Sequence, residues 1–231
     1  LPFAGAGAAA YRSWFGHVAP TTQVHAVRLP GRENRTVEAP FESIDDAVDD
    51  LLPGVLALTD APYCIFGYSM GAVLGFELVR RLSRESTRPP ALLIVGGAEA
   101  AHLPRRHPLV HDLEDEQFIS TLRALGGTAP EIFEEPELLE LLVPMVRADF
   151  KMLETYEYRP GPPLDCPIVS YLGASDRDIA PDRAQRWSEL TVRPMPQRVF
   201  PGGHFFLTEH PAEVVTQVLD DFSTAAAFGL R

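Results

Sequence analysis

The chain has 231 residues, 45% of them hydrophobic, which suits one large α/β domain or two small ones with a sizeable core. No apolar run is long enough to span a membrane, and no signal peptide stands at the start. The net charge of −12, with Lys151 the single lysine, argues against a nucleic-acid partner and gives no attraction to an anionic membrane.

The chain opens at Leu1, not at a start methionine, so upstream residues are expected to precede it. "LPFAGAG" (residues 1–7) reads as a glycine-rich loop. "TQVHAVRLPG" (22–31) reads as a strand ending in a Pro-Gly turn. In "SIDDAVDDLLPGVLAL" the residues Ile44, Val48, Leu51 and Leu52 share a helical face, and Ser43 stands where an N-cap belongs. "YCIFG" (63–67) is a short buried strand, and "MGAVLGFELVRRLSRE" is a helix whose basic end lies near its C-terminus, as the macrodipole prefers. Further buried strands are expected at "ALLIVGG" (91–97), "CPIVSYLGASD" (166–176) and "QRVF". "PDRAQRWSEL" begins a helix at Pro181, and "PAEVVTQVLDDF" closes the chain as an amphipathic helix, with Val214, Val218 and Phe222 in register after Pro211.

Short apolar strands alternating with helices imply an α/β fold, a mostly parallel sheet with helices on both faces. Reactive groups in such sheets sit at the C-terminal ends of the strands. Between "ALLIVGG" and "CPIVSYLG" the chain runs far longer than one crossover helix requires. A helical stripe of Phe118, Leu122 and Leu125 follows the acidic turn at Glu114, Asp115 and Glu116. A second stretch, "PELLELLVPMVRADFKMLETYEY" (136–158), is apolar nearly all round from Leu138 to Val146, with Pro144 expected to kink it. This insertion, residues 103–160, reads as a helical lid over the strand ends within a single domain covering residues 1–231. The alternative is a set of packing helices with no gating role. Cys64 and Cys166 lie in apolar strands and read as reduced core thiols, which fits a cytoplasmic protein.

"GYSMG" (67–71) carries Ser69 at the spacing G-x-S-x-G, between a buried strand and a helix. That is the context in which a serine is presented as a nucleophile on a strained turn. A serine hydroxyl needs a base. Of seven histidines, His204 in "FPGGHFFL" alone follows a strand and glycine turn and precedes the last helix; His210 is the weaker alternative. The acid that orients the base is expected after the preceding strand. "YLGASDRDIAP" offers Asp176, first after the strand, with Asp178 in reserve. The order Ser, acid, His is that of an α/β-hydrolase. Oxyanion donors are expected at the N–H of Met70, next after the nucleophile, and at the N–H of Ala4 in the opening loop. His102, His107 and His111 cluster, but prolines interrupt the run and no cysteine joins it, so no metal site is expected.

In their order along the chain, "LPFAGAGAAAYRSW", "RLPGRENR", "FGYSMGA", "GASDRD" and "GGHFFL" resemble the stand-alone (type II) thioesterases of polyketide and nonribosomal peptide biosynthesis. The resemblance covers essentially the whole chain. "LPGRE" beside "GYSMG" is its most specific part, because generic lipases lack the pairing. It implies an α/β-hydrolase fold with a helical lid. It also implies an editing activity: hydrolysis of acyl thioesters on the phosphopantetheine arm of acyl or peptidyl carrier proteins, with no cofactor of the enzyme's own. Ser69, Asp176 and His204 become the triad, and Ala4 and Met70 the oxyanion donors. Leu138, Leu142 and Met145 are expected to line the substrate chamber, and the enzyme is expected to be a monomer. The one departure is a strand that family members carry before "LPFAG"; without it the oxyanion loop would be poorly anchored. A terminal release domain of a synthase would share the triad. A general carboxylesterase would too, though "LPGRE" speaks against it. A carrier-binding protein with a silent site is a third alternative. Arg80, Arg81, Arg84 and Arg88 form a basic strip that would suit an acidic carrier protein, or simply a solvated helix end.

Overall fold

Four short apolar runs become the strands of one sheet. In the computed structural model, which describes residues 1–229, they are β1 (Cys64–Tyr68), β2 (Leu92–Gly96), β3 (Ile168–Gly173) and β4 (Gln197–Phe200). They pair in that order, all parallel. Every residue of β2 is buried, as a strand covered on both faces must be. Its alternation divides the core. Leu93 and Val95 join the helices α1 (Ile44–Leu56) and α2 (Met70–Glu85) on one face, with Leu52, Leu74, Leu78 and Trp187. Leu92 and Ile94 join Tyr171, Phe200 and the closing helix on the other. This is the doubly covered parallel sheet expected of an α/β-hydrolase.

Helix α1 begins where its cap chemistry dictates. The Ser43 hydroxyl oxygen accepts the Asp46 N–H at 3.1 Å, and Asp45 and Asp46 sit at the positive end of the dipole.

No strand forms over residues 22–29, although the alternation there reads as one. The open edge of β1 is already taken. Leu1 N donates to the Phe66 carbonyl at 2.7 Å, and Tyr68 N donates to the Leu1 carbonyl at 3.2 Å. With that edge occupied, the later segment has no ladder partner among the described residues. It runs as irregular chain, with Leu29 in the core, into a turn where Gly31 N donates to the Arg35 carbonyl at 3.0 Å. The same bonds tie down the start of the opening loop.

The insertion between β2 and β3 holds α3 (Asp115–Leu125), a 3-10 turn (Pro130–Glu134) and α4 (Pro136–Glu154). They share an apolar cluster of their own, built on Phe118, Leu122, Phe133, Val143, Met145 and Val146. The stripe on α3 is narrower than its spacing suggests: Phe118 and Leu122 are buried, whereas Leu125 is 39% exposed. Helix α4 continues through Pro144. Its first turns leave Leu138 and Leu141 exposed, so the helix is not covered all round. After β3 come α5 (Pro181–Gln185), begun by its proline, and a 3-10 turn (Arg186–Leu190). After β4 come α6 (Phe206–Glu209) and α7 (Pro211–Gly229). Val214 and Val218 of α7 are buried and Phe222 packs beside them. Both cysteines are free, and burial pushes both thiols up to about 12, as for inert core residues.

Candidate active site

Ser69 stands between the last residue of β1 and the first of α2 with φ 53° and ψ −114°. A non-glycine residue with positive φ is strained. The turn holds it because Ser69 N donates to the Gly96 carbonyl at 2.7 Å. The flanking glycines are required by contact: a Cβ on Gly67 would lie 2.0 Å from the Gly71 carbonyl oxygen, and one on Gly71 would lie 2.4 Å from the Leu1 carbonyl oxygen.

The expected base and acid arrive from the ends of β4 and β3. His204 follows β4 through the turn at Gly202 (φ 98°), and Asp176 follows β3. His204 Nδ1 lies 2.9 Å from Asp176 Oδ2, and His204 Nε2 lies 3.3 Å from Ser69 Oγ. The carboxylate can only accept, so Nδ1 carries the proton and Nε2 is left to accept from Ser69. Asp176 Oδ1 takes the N–H groups of Asp178 and Ile179 at 2.9 and 3.2 Å. Burial pushes the Asp176 carboxyl up. The hydrogen bond and charge of His204 and the two backbone N–H groups outweigh burial and hold it below the usual carboxylate range. Asp178 is exposed. His210 starts no such chain; its backbone N–H joins the end of α6, bonding the Phe206 carbonyl at 2.9 Å.

A family model for the thioesterase domain matches residues 1–224. The chain belongs to this family.

The thioesterase is 35% identical over 215 residues to the gramicidin S biosynthesis protein GrsT of Aneurinibacillus migulanus, covering 93% of this chain and 84% of that one. It superposes on the type II thioesterase BorB from the borrelidin biosynthetic cluster with a TM-score of 0.87 at 38% identity, over 96% of this chain and 90% of that one. ClbQ, from the colibactin nonribosomal peptide and polyketide pathway, gives a TM-score of 0.92 at 27% identity, over 98% and 96% of the two chains. The chain is thus a thioester hydrolase with the α/β-hydrolase fold, and the proteins it resembles come from such biosynthetic clusters, BorB among them as a type II thioesterase.

The thioesterase's "LPGRE" segment grips the opening loop. Gly31 (φ 81°) lets the chain turn against Pro40 and Met145. Arg32, buried, makes a two-pronged bond to Asp149 of α4, at 2.9 and 2.7 Å, and donates to the Ala6 carbonyl at 2.7 Å. Asp149 Oδ2 also accepts the Gly5 N–H at 2.7 Å. Burial pushes the Asp149 carboxyl up, against the downward pull of the guanidinium and of the Gly5 amide. Glu33 (φ 52°) accepts the Ala9 N–H at 2.8 Å and pairs with Arg28. The loop carrying Ala4 is therefore anchored on both sides, through Leu1 and through Gly5 and Ala6. Among the described residues, Ala4 N and Met70 N, the two expected donors, make no other backbone bond outside the helix.

Two further residues shape the site. Tyr68, fully buried, donates its phenol hydrogen to the His204 carbonyl. Burial pushes its phenol up, so it stays a donor. Phe205 stacks edge-on to Phe3, with ring centroids 5.4 Å apart, and meets the insertion: a Cβ on Gly127 would lie 2.4 Å from its Cζ. Of the chamber candidates, Met145 is 7% exposed and packs towards Gly31, Leu142 is half-buried against the insertion's apolar cluster, and Leu138 is 47% exposed.

Several other polar features have partners of their own. His102 pairs with Glu189 at 3.0 Å and His111 with Glu154 at 2.5 Å, two separate carboxylates. The residues close enough together to resemble a metal site among those described are Asp176 and His204, the expected acid and base, with the exposed Asp178 beside them. In the basic strip, Arg80 pairs with Glu77, Arg81 with Asp49 and Glu85, and Arg88 bonds the Asp60 carbonyl. Three of the four arginines lie towards the far end of the 16-residue α2. That end is roughly 24 Å from Ser69 at 1.5 Å per residue. No described helix is long and apolar enough to cross a membrane.

Arg32, Asp149, Tyr68 and Phe205 were not singled out by the sequence. Asp149 left a trace, since it shares a helical stripe with the buried Met145, Val146 and Met152, where a charge needs a partner.

Proposed function

We propose that this thioesterase hydrolyses acyl thioesters held on the phosphopantetheine arm of an acyl or peptidyl carrier protein, in an editing role in polyketide or nonribosomal peptide synthesis. The alignment of Ser69, His204 and Asp176, which follow the C-terminal ends of β1, β4 and β3, carries the reading, because it is the arrangement that activates a serine. The printed names of similar relatives from such clusters supply the context.

Ser69 Oγ attacks the thioester carbonyl carbon as His204 Nε2 takes its proton. The separation of 3.3 Å is a little beyond the reach of about 2.6–3.2 Å for transfer, as is common before substrate binds. Asp176 holds the Nδ1 proton and stabilises the imidazolium. The carbonyl electrons move onto oxygen, where the N–H groups of Ala4 and Met70 receive them. Collapse breaks the C–S bond, and His204 gives its proton to the departing pantetheine thiol. Water then attacks the acyl-serine, His204 takes its proton and returns it to Ser69 Oγ, and the free acid leaves.

Within this reading the chain is one domain, and residues 103–160 are its lid. The packing of Gly127 on Phe205, the neighbour of His204, supports that role.

The test is release of a short acyl group from a holo carrier protein by wild type and Ser69→Ala, with the same acyl group on a simple oxygen ester beside it. Rapid carrier release that disappears in Ser69→Ala is expected. Equal or faster turnover of the oxygen ester would leave a general carboxylesterase, and release that survives Ser69→Ala would remove the nucleophile.

A further inference from the structure

We propose that Arg32 and Asp149 are positioning residues for the oxyanion site: their buried ion pair sets the place of the Ala4 N–H and makes it depend on helix α4 of the insertion. This rests on the assignment of Ala4 as an oxyanion donor.

The pair joins two segments 117 positions apart. Its side chains are 4% and 1% exposed. Every polar contact it makes beyond itself, save one long bond from Arg32 Nε to the Pro30 carbonyl at 3.3 Å, goes to Gly5 or Ala6. These two residues follow Ala4 directly. One oxygen of Asp149 takes the Gly5 amide and one nitrogen of Arg32 takes the Ala6 carbonyl, so the peptide between them is held from both sides.

Such a device is a poor way to gain stability. Replacing a buried ion pair by apolar groups of similar volume is often neutral or stabilising. It is a good way to hold an irregular loop. The loop has no ladder of its own after Leu1, and Gly5 sits at φ 81° with Val146 of α4 close enough that a Cβ there would be 3.2 Å from it. Ala4 is thus suspended between two anchors, Leu1 on β1 and the ion pair on α4. Loss of the second anchor frees the donor on one side. The Met70 donor, seated at the start of α2, is not among the pair's hydrogen-bond partners and is expected to stay in place. Because Asp149 belongs to the insertion, a displacement of α4 moves the Ala4 N–H with it.

The test compares wild type with Arg32→Met/Asp149→Leu, which removes both charges at similar volume, and with Arg32→Lys, which keeps the charge but loses the two-pronged fork. The readouts are kcat and KM on an acyl thioester, thermal midpoint, and affinity for a boronic acid analogue of the acyl chain, whose tetrahedral adduct on Ser69 puts an oxygen in the oxyanion site. The double variant is expected to lose some of its midpoint, because the Gly5 N–H and the Ala6 carbonyl lose their partners, while kcat measured well below that midpoint falls about 100-fold, as for a misplaced donor. KM is expected to stay within about threefold, with boronate affinity falling in step with kcat/KM. Arg32→Lys is expected to show the same split in smaller degree, and it decides the matter if the double variant does not fold. A folded variant with wild-type kcat, or one whose kcat falls while boronate affinity is unchanged, would overturn the proposal. Ser69→Ala is run in parallel. If it stays active, the site reading itself has failed; if it is inactive while the pair variants are normal, only the positioning role has failed.

Discussion

The phenol of Tyr68 bonds the backbone carbonyl of His204, 136 positions away in the chain. Tyr68 immediately precedes Ser69, so one buried side chain sets His204 relative to the serine that it is proposed to serve. The fold thus adds to the visible Ser–His–Asp chain a second tie between β1 and the turn after β4. Its effect is on position: the hydroxyl holds the His204 backbone, and the ring packs edge-on to the imidazole with centroids 6.0 Å apart.

Tyr68→Phe removes that donor and leaves the His204 carbonyl without its partner. The expected cost is about 1–3 kcal/mol of stability, with kcat falling roughly tenfold and KM little changed. Denaturant unfolding together with steady-state kinetics measures both. An unchanged kcat would show that the packing around His204 suffices to place it.

Gly71→Ala puts a methyl group 2.4 Å from the Leu1 carbonyl oxygen. That oxygen also accepts from Tyr68 N and from the Tyr11 hydroxyl, so the opening loop must shift as a whole. Displacing the Ala4 donor is expected to lower kcat by roughly 10²–10³. A crystal structure of the variant would show whether the loop has moved.

Gly127→Ala is expected to act on the site through the insertion. Its backbone is left-handed (φ 82°), and the new methyl group meets the Phe205 ring. A double-mutant cycle with Phe205→Ala separates the two effects: the backbone strain persists in the double variant, whereas the clash is relieved. Recovery of part of the lost kcat/KM in the double variant is the expected result.

Asp176 makes a contribution to stability whose pH dependence has a definite sign. Its carboxyl is held below the usual range in the folded chain. The stabilisation is therefore fully present above the unfolded value, about 3.9, and is lost as pH falls through the depressed folded value. Unfolding free energies of wild type and Asp176→Asn are expected to differ by a constant amount near neutral pH. The difference should shrink in the acid range below the unfolded value. A gap that grows on acidification would contradict the charge pairing with His204.

Much of this enzyme was written locally. A glycine-flanked serine between a buried strand and a helix can form only a tight turn, and Ser43, Pro181 and Pro211 start their helices by short-range chemistry. The order of Ser69, Asp176 and His204, each after a strand, carried the site, and the length between β2 and β3 announced an insertion. The tertiary structure decided what depends on which elements meet. Asp176 and Asp178 share one local setting, and the choice between them came from the approach of β4, which brings His204 to the first and leaves the second exposed. Residues 22–29 alternate as a strand should, yet they form no ladder with the sheet, whose β1 edge is bonded by Leu1. The partnership of Arg32 with Asp149 has no local signal beyond a charge in an apolar stripe, because periodicity records which face is buried and not what lies across from it.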